Sequence, residues 1–248
     1  MHRFYLPPAE CKTGSPALTG REARHATRVL RLRRGDEVVV LDGAGLELSC
    51  VVQTSERDLV QLTVSKKNLV PAPAHQITLL QAIPKGKIIE AIIQKAVELG
   101  VHRIVPLLTE RVTTRLDGDD AAHKAEKLQH IAIEAIKQCG SAWLPKIEMP
   151  MTPGEFLARG EKFDLPLIAS LQPGARPARE CFQSFQAEHG RKPASVCIWI
   201  GPEGDFTVEE VRAAQAAGAL PITLGRLVLR VETAATYCLS VLNHELQS

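Results

Sequence analysis

From residue 77 to the carboxyl end, short apolar runs alternate with amphipathic segments, a rhythm that few architectures accommodate. The runs 77–82, 104–108, 165–171, 196–200 and 220–224 have strand length, and helical patterns over 87–99, 121–139, 178–189 and 233–246 separate them. Gly100 and Gly140 stop the first two helices. Thr152 with Glu155, and Thr207 with Glu210, have the spacing of capping boxes and open two shorter helices, the second closed by Gly218. In the last segment Ala234, Tyr237, Cys238, Val241, Leu242 and Leu246 form a stripe that must be buried. Such alternation predicts an α/β fold with a parallel sheet covered on both faces.

The chain before this point follows a different pattern. Residues 37–41, 46–53 and 59–65 read as strands, with Asp42-Gly43-Ala44-Gly45 as a turn between the first two. Short antiparallel strands beside a small helix predict a compact barrel. The Pro/Ala-rich connector 66–75 continues neither pattern, so the domain boundary is placed there: 1–70 and 71–248.

Charge is distributed unevenly. Residues 1–36 hold eight Lys/Arg against three Asp/Glu, a balance of +5 in a chain whose net charge is +2. Thr19 and Glu22 have capping-box spacing and open a predicted helix of about a dozen residues. Arg21, Arg24, Arg28 and Arg31, spaced three, four and three apart, then share one helix face, and Arg33 and Arg34 extend it. A same-sign stripe with few acids nearby suits a phosphate backbone. A solvated helix face is the plainer alternative.

Several classes of protein are disfavoured. No stretch approaches eighteen apolar residues, and Met1-His2-Arg3-Phe4 lacks the apolar centre of a signal peptide, so a soluble, cytoplasmic protein with no membrane partner is expected. The six cysteines include no C-x-x-C pair and the eight histidines show no ligand spacing, so neither disulfide nor metal is expected. The first strand of the alternating region leads into Gln81-Ala82-Ile83-Pro84-Lys85-Gly86, which is no G-x-G-x-x-G fingerprint, and no Walker A sequence occurs. That weakens a nicotinamide-dependent oxidoreductase, the main structural rival.

The candidate site lies between residues 196 and 235. The apolar run 196–200 stops at Gly201-Pro202-Glu203-Gly204, where the backbone turns with little side chain in the way, and the run 220–224 stops at Gly225. Arg230 and Glu232 follow at the mouth of the last helix. Each piece alone could be a plain turn or a surface ion pair. Together, on successive strand ends, they predict a pocket with a charged floor.

Ile-Gly-Pro-Glu-Gly-Asp-Phe-Thr (200–207) and Leu-Gly-Arg-Leu-Val-Leu-Arg-Val-Glu-Thr-Ala (224–234) resemble the signature motifs of the ribosomal RNA small subunit methyltransferase E family. Glu98-Leu99-Gly100-Val101 and Pro-Leu-Leu-Thr-Glu-Arg (106–111) match family patterns too, so the resemblance covers nearly the whole chain. It implies a PUA-like RNA-binding domain followed by a SPOUT domain with a trefoil knot. The implied activity is S-adenosylmethionine-dependent methylation of uridine N3 in 16S rRNA, in the assembled 30S subunit, by a homodimer. Leu171, Ile200, Gly201, Pro202, Gly204, Leu224, Gly225 and Leu229 would hold the donor, and Arg230 and Glu232 would be catalytic. Arg21, Arg24, Arg28, Arg31, Arg111 and Arg115 would meet RNA; for Arg111 and Arg115 an ion pair with Glu110 or Asp117 is the alternative. The chain departs from the family pattern at Asp205, where glycine is usual, and at Lys137 and Ser141, which replace an acid and an arginine. A non-catalytic RNA-binding or assembly factor would keep the arginines without binding the donor.

Overall fold

The computed structural model describes residues 1–12, 14–112, 118–172 and 174–247. The chain divides into two units, 1–72 with 133–144 and 73–132 with 145–248.

The first unit contains β1 (His2–Tyr5), α1 (Pro8–Cys11), β2 (Ala17–Thr19), α2 (Gly20–Arg24), a π turn (His25–Val29), β3 (Glu37–Leu41), β4 (Leu46–Glu56) and β5 (Leu59–Leu69). These strands form one sheet in the order β1-β3-β4-β5-β2. All neighbours are antiparallel except β1 with β3. Phe4 from one edge strand and Leu18 from the other are buried in a common core with Val38, Leu48 and Leu62, so the sheet curls around its own apolar face. At the β3–β4 turn Asp42 Oδ1 accepts from Ala44 N at 2.7 Å and Leu46 N at 2.8 Å. A Cβ at Gly45 would stand 2.6 Å from the Trp143 ring, which reserves that position for glycine.

Two expectations fail in this unit. Residues 66–69 are strand rather than connector, because Leu69 pairs with Leu46 at the far end of the β4–β5 ribbon. The predicted twelve-residue helix is a short α-helix followed by the π turn, and Arg31 lies beyond it in the left-handed region (φ 55°). The Thr19 side chain makes no capping bond. Glu22 instead accepts from Lys137 Nζ at 2.8 Å, and Lys137 also reaches Glu134 at 3.0 Å. The sequence departure at Lys137 therefore serves an ion-pair cluster, while Ser141 exchanges two hydrogen bonds with the Trp143 backbone.

The second unit contains β6 (Gln76–Ala82), α3 (Ile88–Glu98), β7 (Arg103–Leu107), α4 (Gly118–Cys139, its residues from 133 counted with the first unit), β8 (Lys146–Ile147) and α5 (Pro153–Ala158). It continues with β9 (Leu165–Ala169), β10 (Arg176–Pro177), α6 (Ala178–His189), β11 (Ser195–Ile200), α7 (Val208–Ala216), β12 (Leu220–Thr223) and α8 (Val231–Gln247). Seven strands form a wholly parallel sheet, β10-β12-β9-β11-β6-β7-β8, as the alternation requires. Residues 196–200 of central β11 are all buried, which explains their unbroken apolar character. One sheet face buries Leu80, Val105, Ile168, Cys197 and Trp199 against Phe156 of α5, Ala214 of α7 and Phe206. On the other side α8 packs against β11 and α3. Both predicted capping boxes, Thr152 with Glu155 and Thr207 with Glu210, are formed. Because β12, β9 and β11 are neighbours and parallel, their carboxyl ends open side by side.

Candidate active site

A cavity of about 420 Å³ lies at those three strand ends. Ala169, Ser170 and Leu171 line it after β9, residues 200–203 and Asp205 after β11, and Leu224, Gly225 and residues 227–229 after β12. Ile88 of α3 and Arg230, Val231, Glu232 and Ala234 at the start of α8 complete the lining.

The wall after β11 is tightly folded. Asp205 N donates to Pro202 O at 2.9 Å, and Asp205 Oδ1 accepts from Phe206 N at 2.8 Å. Asp205 is left-handed (φ 60°), a conformation that asparagine and aspartate tolerate through such local bonds, so it can stand where glycine is usual. A Cβ at Gly201 would lie 3.0 Å from Asp205 Oδ1 and 3.2 Å from Phe206 N, so the turn closes over bare backbone. Neighbouring loops brace it from outside. Lys85 N, after β6, donates to Glu203 Oε1 at 3.0 Å. After β7, Glu110 N donates to Glu210 Oε1 at 3.0 Å, while Arg111 Nη1 donates to Gly204 O and, at 3.4 Å, to Phe206 O.

The wall after β12 is looser. Gly225 has φ 111°; its N–H donates to the Thr223 hydroxyl at 3.2 Å, and that hydroxyl donates back to Gly225 O at 3.4 Å. Leu227 and Val228 are 77% and 79% exposed although both line the cavity. Among the described residues no ion pair joins Arg230 to Glu232, so both side chains are available to a ligand. The lining carries three carboxylates (Glu203, Asp205, Glu232) against one guanidinium, a balance that suits a cationic ligand.

Seven of the eight residues expected to hold a donor line this cavity, as do Arg230 and Glu232. Gly204 stands outside the lining, alongside Arg111, where a Cβ would lie 3.4 Å from Arg111 Cδ. Arg111, expected to meet RNA or pair with Glu110 or Asp117, spends its Nη1 donors on the loop carbonyls. Arg115 lies outside the described residues. Sequence reasoning missed Ile88, Glu203, Asp205, Leu227 and Val228 as lining residues; an apolar pair in a loop otherwise free of packing duties was the available signal for the last two. In the first unit Arg21, Arg24, Arg28 and Arg31 are all exposed, but the shared helix face is not built: the π turn breaks the 3.6 periodicity after Arg24, and Arg31 follows it in a separate conformation.

The family model described as RNA methyltransferase domain matches residues 71–243, and that described as RNA methyltransferase PUA domain matches 18–65. The chain thus belongs to the RNA methyltransferases that carry a PUA domain. It is 34% identical over 249 residues to ribosomal RNA small subunit methyltransferase E of Synechocystis sp., covering 100% of this chain and 78% of that one, and it belongs to the ribosomal RNA small subunit methyltransferase E family. A solved structure from Legionella pneumophila, in complex with the bound cofactor SAM, is 33% identical with a TM-score of 0.87, covering 98% of this chain and 96% of that one. A ribosomal RNA small subunit methyltransferase E from Neisseria gonorrhoeae, bound to S-adenosyl methionine, is 27% identical with a TM-score of 0.84, covering 98% and 97%.

Proposed function

We propose that this protein transfers a methyl group from S-adenosylmethionine to N3 of a uridine in 16S rRNA of the 30S subunit, in the cytoplasm and as a homodimer. The observation that carries the reading is the cavity at the ends of β9, β11 and β12, together with family membership. The residues present fit the donor. Leu171, Ile200, Leu224 and Leu229 offer apolar surface to a flat adenine, and the surplus of carboxylates favours a sulfonium cation.

When bound, that donor supplies an already activated methyl group, so the chain needs no nucleophile of its own. What remains is to orient the uridine and manage one proton. Uridine N3 attacks well only as its anion, whose charge spreads onto the ring carbonyl oxygens. Arg230, exposed at the cavity wall, places its guanidinium beside such an oxygen, and the amino end of α8 adds its dipole. Glu232, with no ion pair to Arg230, receives the N3 proton on its carboxylate. Arg21, Arg24, Arg28 and Arg31 hold RNA phosphates from the first unit.

The test is deletion of the gene followed by mass spectrometry of nucleosides from 16S rRNA. Loss of 3-methyluridine, restored by purified protein and donor on 30S particles, is the expected result. Calorimetry with the donor alone separates this reading from a non-catalytic assembly factor, which would release no heat.

A further inference from the structure

The sheet order β11-β6-β7 brings the loops after β6 and β7 to the same end as the Gly201–Phe206 turn. Two side chains span these gaps. Glu203 takes the Lys85 N–H from the β6 side, and Arg111, two strands away on the β7 side, donates through Nη1 to the Gly204 and Phe206 carbonyls. Gly204 and Phe206 flank Asp205, whose left-handed backbone and side-chain bond to Phe206 N set the shape of the cavity wall. The Arg111 stem lies along Gly204, so the residue braces the turn by packing as well as by hydrogen bonds.

We infer that Arg111 is a positioning residue for the donor: it fixes the Gly201–Phe206 wall in its binding shape by tying both carbonyls that flank Asp205 to the β7 loop. The inference rests on the donor reading of the cavity. A charge-assisted bond to the Gly204 carbonyl holds the carbonyl side of that peptide and so fixes the direction in which the Asp205 N–H can point. Preorganising a loop lowers the cost of ordering it around a ligand and appears as affinity. Because a single nitrogen serves both carbonyls, an ammonium group on a stem of similar length can replace it, whereas the phosphate-gripping role of an arginine would use the opposite, outward edge of the fork.

The informative variants are Arg111→Met, which keeps the stem against Gly204 and removes the donors, and Arg111→Lys, which returns a donor. In Arg111→Met the dissociation constant for S-adenosylmethionine should rise about tenfold, the scale of one to two lost hydrogen bonds. The turnover rate at saturating donor should stay within about threefold, since the reacting groups are untouched. Hydrogen exchange of the Asp205 amide in the unliganded protein should accelerate about tenfold. Affinity for 16S rRNA fragments and its salt slope should not change, and Arg111→Lys should restore most of both effects. Should Arg111→Met fail to fold, Arg111→Gln, a shorter neutral donor, takes its place. Unchanged donor affinity, or a flatter salt dependence of RNA binding with unchanged Asp205 exchange, overturns the inference and makes Arg111 an RNA contact. If the unmodified protein binds no donor, the proposed function fails, while the exchange measurement still decides whether Arg111 holds the turn.

Discussion

The two glycine turns that enclose the cavity look alike as sequence and differ as structures. The turn after β11 is closed on itself through Asp205 and braced by Lys85 and Arg111 from two neighbouring loops. The segment after β12 is held at Gly225 by the Thr223 hydroxyl alone among the described residues, and has two exposed apolar side chains at Leu227 and Val228. One wall is tied down by its own and its neighbours' hydrogen bonds; the other keeps two apolar side chains exposed in the single chain. A site with one fixed and one adaptable wall can orient its ligand accurately and still admit and release it.

The largest effect that would sharpen this contrast concerns the adaptable side. Arg230→Ala should slow single-turnover methylation about 100-fold to 1000-fold with donor affinity nearly intact, the scale of a lost group opposing developing negative charge; near-normal rates would remove Arg230 from the chemistry. On the fixed side, Gly201→Ala pushes a methyl group against Asp205 and the Phe206 N–H, so donor affinity measured by calorimetry should fall about tenfold or more. Gly225→Ala meets no atom within 4 Å but must hold φ 111°, and should cost about 1–2 kcal/mol in chemical denaturation while shifting donor affinity less. Replacing Leu227 and Val228 by serine should leave unliganded stability within about 0.5 kcal/mol and weaken the donor about threefold, because these side chains are already exposed.

The smallest effect on the donor serves as a control at the opposite ends of β9 and β11. Arg191 grips Asp164 with two bonds, at 2.7 and 3.0 Å, and Ala194 N adds a third at 2.7 Å. The Arg191 guanidinium, foremost, and the Ala194 and Ser195 backbone hold the Asp164 carboxyl down to about 2 from its ordinary 3.8. A carboxyl with a depressed folded pKa contributes its stability above the unfolded value and loses it as pH falls towards 2. Asp164→Asn should therefore cost about 1 kcal/mol at neutral pH, flatten the acid limb of the stability profile, and leave donor affinity unchanged.

Local signals carried much of this architecture into the sequence. Thr152 with Glu155 and Thr207 with Glu210 cap their helices as their spacing predicts, since both partners lie within one turn. Thr19 with Glu22 has the same spacing, yet Glu22 is taken by Lys137, a partner 115 residues away that no local pattern reveals. Arg111 is the same case: its acceptors are backbone carbonyls 93 and 95 residues away, and carbonyls carry no residue-type signature. Asp205 could be recognised as standing at a glycine position, but not that its own carboxylate compensates for the backbone it adopts. Short strands such as β1, β8 and β10 have too few residues to show a period, and become strands only because a longer neighbour is there to pair with them.

The register of the parallel sheet also sets when the second unit can form during synthesis. Gln76 of β6 pairs with Ser195 of β11, 119 positions later, and β11 is the strand that joins β6 to β9. Until the nascent chain has emerged past residue 200, β6 and β7 have one edge without a partner and the cavity lacks its first wall. Contacts of such long sequence separation form slowly, and unpaired strand edges in waiting invite misassembly. The cavity at the ends of β9, β11 and β12 is thus complete only after every strand of its sheet has been made.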